Sequence, residues 1–148
     1  MARQIGTVEG PWRAALDLAG VRLHRVDADG DAPAGIVATV LPEGERALRA
    51  EVEIAVPTES DSGMGAWHVN EVDEIHVVSS GEGIMEFVTL DGVVSVLVEA
   101  GDVVEIRGAE HRYCPLSPQR WRLRFAGGPD GELVATATGR AAGPWPTP

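Results

Sequence analysis

From Val21 to Thr138 the chain is written in short runs of Val, Ile, Leu and Thr, broken at near-regular intervals by Gly, Asp and Pro. Runs of this length and β-branched content read as strands, and their spacing leaves no room for helical crossovers, so the chain is expected to be an antiparallel sandwich or barrel. The clearest run places Leu48, Ala50, Val52, Ile54 and Val56 on one face and Arg49, Glu51 and Glu53 on the other, which makes a strand with one side toward a core and one toward water. Asp91-Gly92 lies between two apolar runs and signals a tight hairpin, because such turns demand a positive φ. The expected strands are Val21 to Val26, Ile36 to Leu41, Ala47 to Val56, Trp67 to Val78 with a break near Val72, Ile84 to Leu90, Val93 to Val98, Val103 to Ile106, His111 to Leu116, Arg120 to Ala126 and Glu132 to Thr138. This many short strands close most economically as a jelly roll or small barrel. The one expected helix is Pro11 to Gly20, with Pro in its first turn and Gly after its last. Residues 1–10 show no clear period.

A length of 148 residues suits one domain, with a core over about 21–138 and a Gly/Pro-rich, irregular tail over 139–148 whose Trp145 is placed to dock on the barrel or on a neighbouring subunit. The net charge of -11 opposes phosphate backbones and anionic lipid, so neither nucleic acid nor a membrane is an expected partner. A single cysteine, Cys114, rules out an internal disulfide framework and fits a reducing compartment. No apolar run approaches the roughly 18 residues of a membrane span, and the N-terminus lacks the apolar core of a signal peptide. A soluble, cytoplasmic protein is expected.

The chemistry concentrates in Trp67 to Gly81, WHVNEVDEIHVVSSG. His68 and Asn70 are two apart, and Glu74 and His76 are two apart with the same parity, so in extended chain all four project from one face. The intervening Val69, Val72, Ile75 and Val77 are apolar, which allows the other face to be buried. The polar face is then either a solvated strand surface or the lining of a cavity, and as a lining it reads as half of a metal site.

With these spacings the sequence resembles the cupins, and among them the acireductone dioxygenase group. The first cupin motif, H-x-H-x3-E-x6-G, is met by His68, Asn70, Glu74 and Gly81, with Asn in place of the second His. The second, G-x5-P-x-G-x2-H, is met at Gly101, Gly108 and His111, one residue short and without the proline. The resemblance covers residues 68–111, and the Arg-Tyr after His111 and Arg122 to Phe125 are similar to the acireductone dioxygenase pattern. It implies a single-domain, all-β jelly-roll barrel and one divalent metal ion held by His68, Asn70, Glu74 and His111. Two imidazoles and a carboxylate leave open positions for O2 and substrate on non-haem Fe(II), the favoured metal, although Ni, Mn, Co and Zn accept the same ligands. Cupins often pair through edge strands, so a homodimer is also implied.

Asn70 is the departure: it could bind the metal weakly through its amide oxygen, hold a metal-bound water, or stand behind the ligands. His76, inward by parity, is a candidate to replace a ligand, to orient Glu74 or to act as a base toward substrate, against the plainer role of a histidine satisfied in the barrel wall. Tyr113 shares the parity of His111 and is a second candidate catalytic group, or a core residue with a hydrogen-bonded tip. Arg122 and Arg124 are expected in water, Arg107 replaces the motif proline, Cys114 faces away from the metal, and His24 reads as a surface residue. Met64, Met85 and Phe87 are candidate pocket linings. The loop Pro57 to Ala66 precedes the polar stretch as a lid would. The leading expectation is a dioxygenase acting on a small enediol or diketone that chelates the metal. The alternatives are a non-oxidative isomerase, cyclase or decarboxylase using the ion as a Lewis acid, and a non-catalytic ligand-binding cupin.

Overall fold

The sequence alternation is realised as two facing antiparallel sheets in a computed structural model that describes residues 2–5, 11–36, 47–57, 59–126 and 135–148. In chain order the elements are β1 (Arg3–Ile5), α1 (Trp12–Leu18), β2 (Val21–Arg25), β3 (Ala47–Ile54), β4 (His68–Asn70), β5 (Glu74–Ser80), β6 (Glu82–Thr89), β7 (Gly92–Glu99), β8 (Asp102–Ile106), β9 (His111–Pro115), β10 (Gln119–Ala126) and β11 (Ala135–Ala137). One sheet runs β1-β7-β6-β9-β4-β11 and the other β2-β8-β5-β10-β3. Helix α1 and strands β2 to β11 match expected elements, with end shifts of a few residues, and β1 is an addition. Residues 34–36 are helical, so Ile36 does not begin a strand, and the rest of the strand expected over 36–41 lies outside the described residues.

The break near Val72 has a structural purpose. Glu71-Val72-Asp73 carries the chain from β4 in one sheet to β5 in the other, so the polar stretch is two short strands on facing sheets rather than one long strand. The side chains of inward parity still meet, because both sheets turn those positions toward the space between them.

Three further differences have local causes. Residues Arg3–Ile5, too few to show a period, pair with β7 through Arg3↔Leu97 and Ile5↔Ser95. The β6-β7 hairpin turns at Leu90-Asp91, one residue early, since Thr89 pairs with Gly92. Gly92 supplies the positive φ (115°) as the first residue of β7, and Thr89 Oγ1 both donates to the Gly92 carbonyl at 2.7 Å and accepts from the Asp91 amide at 3.1 Å. Arg122 and Arg124 face outward on β10 as their parity requires, but they are covered rather than solvated: Arg122 donates to the Gly30 carbonyl and Arg124 to Asp31.

The core between the sheets is built from Val78, Met85, Phe87, Val94, Val96, Val98, Val104 and Ile106, with Ala2 and Leu16 of α1 packed into it. Burying Leu16 contributes about 1.5–3 kcal/mol, which is what holds so short a helix to the barrel. β5 is buried on both faces, because its outer residues Ile75 and Val77 are themselves covered, by Ala32 with Val26 and Ile36. Among the described residues no helix is long and apolar enough to cross a membrane.

Candidate metal centre

β4 and β9 bring two histidines together. His68 and His111 are register partners, with ring centroids 4.4 Å apart and planes at 59°. Each is pinned in the same way: Nδ1 lies 2.8 Å from the carbonyl two residues earlier, Ala66 for His68 and Ala109 for His111. A carbonyl only accepts, so each Nδ1 carries the proton and each Nε2 presents a lone pair, the arrangement of a metal-ligating imidazole. Burial lowers the His111 pKa to about 4, against the opposing pull of the Ala109 carbonyl and Glu74, so this ring is neutral at physiological pH.

Glu74 opens β5 from the facing sheet and is fully buried. Its Oε1 is 2.7 Å from Asn70 Nδ2, 2.8 Å from His76 Nε2 and 3.6 Å from His111 Nε2. Its Oε2 is buried without a hydrogen-bond partner among the described residues. Burial alone would raise this carboxyl, but the His76 and His111 imidazoles and the Asn70 amide outweigh it and hold Glu74 below the ordinary carboxylate range. His76 is at ion-pair distance from Glu74 without the alignment of a hydrogen bond, and its ring meets Trp121 edge-on at 5.0 Å. Among the described residues no group of three or more His, Cys, Asp or Glu side chains is arranged to hold a metal ion.

These groups form the polar end of a cavity of about 430 Å³. Its walls are apolar, Val52 and Ile54 of β3, Met85 of β6, and Trp121 and Leu123 of β10. The exposed Met64, Ala135 and Ala137 mark its opening. No described residue lining it is Lys or Arg.

No protein-family model matches the sequence, and no curated protein sequence matches it. Solved structures do. An acireductone dioxygenase from Bacillus anthracis, with a cadmium ion in its active centre, is similar at a TM-score of 0.59 and 16% identity, over 83% of this chain and 87% of that one. An oxalate decarboxylase from Bacillus subtilis is similar at a TM-score of 0.49 and 14% identity, over 80% of this chain and 27% of that one. The chain has the cupin fold.

In this fold His68, Asn70, Glu74 and His76, which share one face by parity, line one cavity with His111, and Tyr113 lines it too. The Tyr113 ring packs against Trp121 at 4.4 Å, its hydroxyl has no partner among the described residues, and burial pushes its pKa up, so it stays protonated. Met64 and Met85 line the cavity; Phe87 is buried beside His111 instead. Arg107 is outside the cavity, with its Nε 3.0 Å from Glu105 Oε1, and His24 approaches the same Glu105 at 3.2 Å. Cys114 is buried, and that burial raises its thiol pKa, which suits a packing residue rather than a nucleophile. Among the lining residues that the sequence does not single out, Trp121 touches both His76 and Tyr113. Its signal was the alternation with Arg120, Arg122 and Arg124, which sets Trp121, Leu123 and Phe125 inward.

Proposed function

We propose that this cupin is a metal-dependent enzyme that acts on a small, uncharged molecule chelating a divalent cation, with His68, His111 and Glu74 as the protein's donors. The observation that carries this reading is the pair of pinned imidazoles, each presenting its Nε2 lone pair toward the polar end, beside a buried carboxylate whose second oxygen has no partner among the described residues. Neutral imidazole and ionised carboxylate are the protonation states that cations bind, so the residues present fit the group. Fe(II) is favoured by two imidazoles and one carboxylate, and Ni, Mn, Co and Zn suit the same donors. When bound, the cation polarises a chelated enediol or diketone and, as Fe(II), opens it to O2.

The chain's own residues then have separable tasks. The apolar walls exclude water and accept a hydrocarbon body. The absence of Lys and Arg among the described lining residues disfavours a carboxylate or phosphate substrate, which would have the cation as its only positive partner. His76 stands at Glu74, where an imidazole can hold or pass a proton between the polar end and a bound molecule. Tyr113 remains a hydroxyl donor. The leading reading is therefore a dioxygenase of an enediol or diketone. The contact of His76 with Glu74 favours a second one, a non-oxidative isomerase, cyclase or decarboxylase in which proton transfer is the main step.

Metal analysis of the purified protein alongside His68→Ala and His111→Ala tests the site. Stoichiometric metal in the wild type, lost in both variants, is expected; full retention in both overturns it. Oxygen uptake by the Fe(II)-loaded protein over a panel of neutral enediols and diketones is expected under the first reading, and turnover under strict anaerobiosis under the second.

A further inference from the structure

Asn70 ends β4 four residues before Glu74, and its side chain is buried between two acceptors. The amide nitrogen donates to Glu74 Oε1 at 2.7 Å and lies 3.4 Å from His111 Nε2. Glu74 is an ionised carboxylate with only lone pairs to offer. His111 has committed its one proton to the Ala109 carbonyl and likewise presents a lone pair at Nε2. The two acceptors are 3.6 Å apart and repel unless something electropositive bridges them. This chemistry fixes the sense of the amide, because an oxygen turned the same way would have no hydrogen to share with either group.

A cation held by His111 and Glu74 would take the His111 Nε2 lone pair and a Glu74 oxygen, at about 2.0–2.2 Å from each. The single Nε2 lone pair of His111 cannot serve an amide hydrogen and a metal ion together, whereas Glu74 also offers Oε2, which has no partner among the described residues. We propose that Asn70 is an internal stand-in for the cation: its NH2 group bridges Glu74 and His111 in the metal-free protein, and a metal binds by displacing it. Metal binding is then an exchange rather than a simple addition, and Asn70 sets the affinity by stabilising the metal-free state. This goes against a role for Asn70 as an oxygen ligand, and it rests on the metal reading given above.

The experiment is a Co(II) titration of chelator-treated wild type, Asn70→Ala and Asn70→His, followed by calorimetry and by the visible absorption of the bound ion. Removing the competing bridge is expected to tighten Co(II) roughly tenfold in Asn70→Ala, the size of one hydrogen bond to a charged group. Asn70→His, which adds a donor as well, is expected to bind at least as tightly as Asn70→Ala. The rise in melting temperature on adding Co(II) is expected to be larger in both variants than in wild type. A weaker or unchanged affinity in Asn70→Ala, with wild type still binding, overturns the inference and leaves the metal site standing. Binding to none of the three proteins overturns the metal site and the inference together. The wild type supplies a check that needs no variant: the Asn70 side-chain amide protons are expected to be protected from solvent exchange without metal and to lose protection when Zn(II) is added. Protection that persists or grows with Zn(II) overturns the exchange.

Discussion

His68 and His111 face each other across β4 and β9 with their rings 4.4 Å apart, each tied by Nδ1 to a backbone carbonyl 2.8 Å away. Nitrogen-detected NMR of the metal-free protein at pH 7 is therefore expected to show both rings protonated at Nδ1 and bare at Nε2. The His111 pKa falls from 6.5 to about 4 on folding, so between those values the unfolded chain binds the proton and the folded one does not. Its contribution is fully present above pH 6.5 and is lost as pH falls to about 4, at most about 3 kcal/mol on the conversion of one pKa unit to 1.36 kcal/mol. Urea denaturation of the metal-free protein across that window checks the slope, which is expected to flatten in His111→Gln.

Parity made most of this site legible in the sequence. Alternation sets His68, Asn70, Glu74 and His76 on one face and Tyr113 on that of His111, and it survives even when the strand that carries it divides between two sheets, because it is local to each piece. What parity does not encode is the partner. That Asn70 turns its NH2 to Glu74 and that Arg124 finds Asp31 depend on contacts between segments brought together only by folding. β1 was missed because three residues carry no period; its pairing is decided by the open edge of β7. Trp67 points away from the cavity yet is buried, since Arg112 and Arg140 lie over its ring and form a cover that no spacing in the sequence announces.

Tyr113 and Gly83 fit as a pair. A side chain at Gly83 would overlap the Tyr113 hydroxyl and ring, so Gly83→Ala is expected to destabilise the protein by about 1–3 kcal/mol through overpacking. The hydroxyl itself is buried without a partner among the described residues, so Tyr113→Phe is expected to leave the melting temperature unchanged or slightly higher. A loss of stability in Tyr113→Phe would show that the hydroxyl has a partner in solution. A fall in turnover with unchanged stability would place it on the substrate.

Arg112 and Glu86 form a buried ion pair on the outer face of the six-stranded sheet, with Arg112 Nε 2.8 Å from Glu86 Oε1 and Ser95 donating to the other oxygen. Trp145 of the tail stacks on the guanidinium at 3.9 Å, and the Gly143 carbonyl accepts from it at 2.8 Å. Removing one charge strands the other, so Arg112→Met is expected to cost about 3–5 kcal/mol. Arg112→Met with Glu86→Leu removes both charges and is expected to recover much of that loss. Denaturant midpoints of the single and double variants check it, and equal midpoints would show that Glu86 finds another partner.

The tail is tied at a second point by Glu110, whose Oε2 accepts from Arg140 Nε at 3.0 Å and from the Thr138 hydroxyl at 2.5 Å. Arg140 holds this carboxyl below its usual 4.5, with the Thr138 hydroxyl adding to the effect and partial burial opposing it. A carboxylate with a depressed folded pKa stabilises the attached state above 4.5, and that contribution is lost as the pH falls through the lower folded value. The contact is largely exposed, so its loss is expected to free the tail without unfolding the barrel. Trp145 Nε1 donates to the Ser60 carbonyl at 2.9 Å, in the loop whose Met64 borders the cavity. Acid-stable protease digestion is expected to remove residues beyond Thr138 faster as the pH drops below 4.5. In Glu110→Gln the neutral amide is expected to give that faster cleavage already at pH 5.5 and to abolish its pH dependence. Cleavage that is equally slow in both proteins at every pH would mean that Arg112 and Trp145 hold the tail without Glu110.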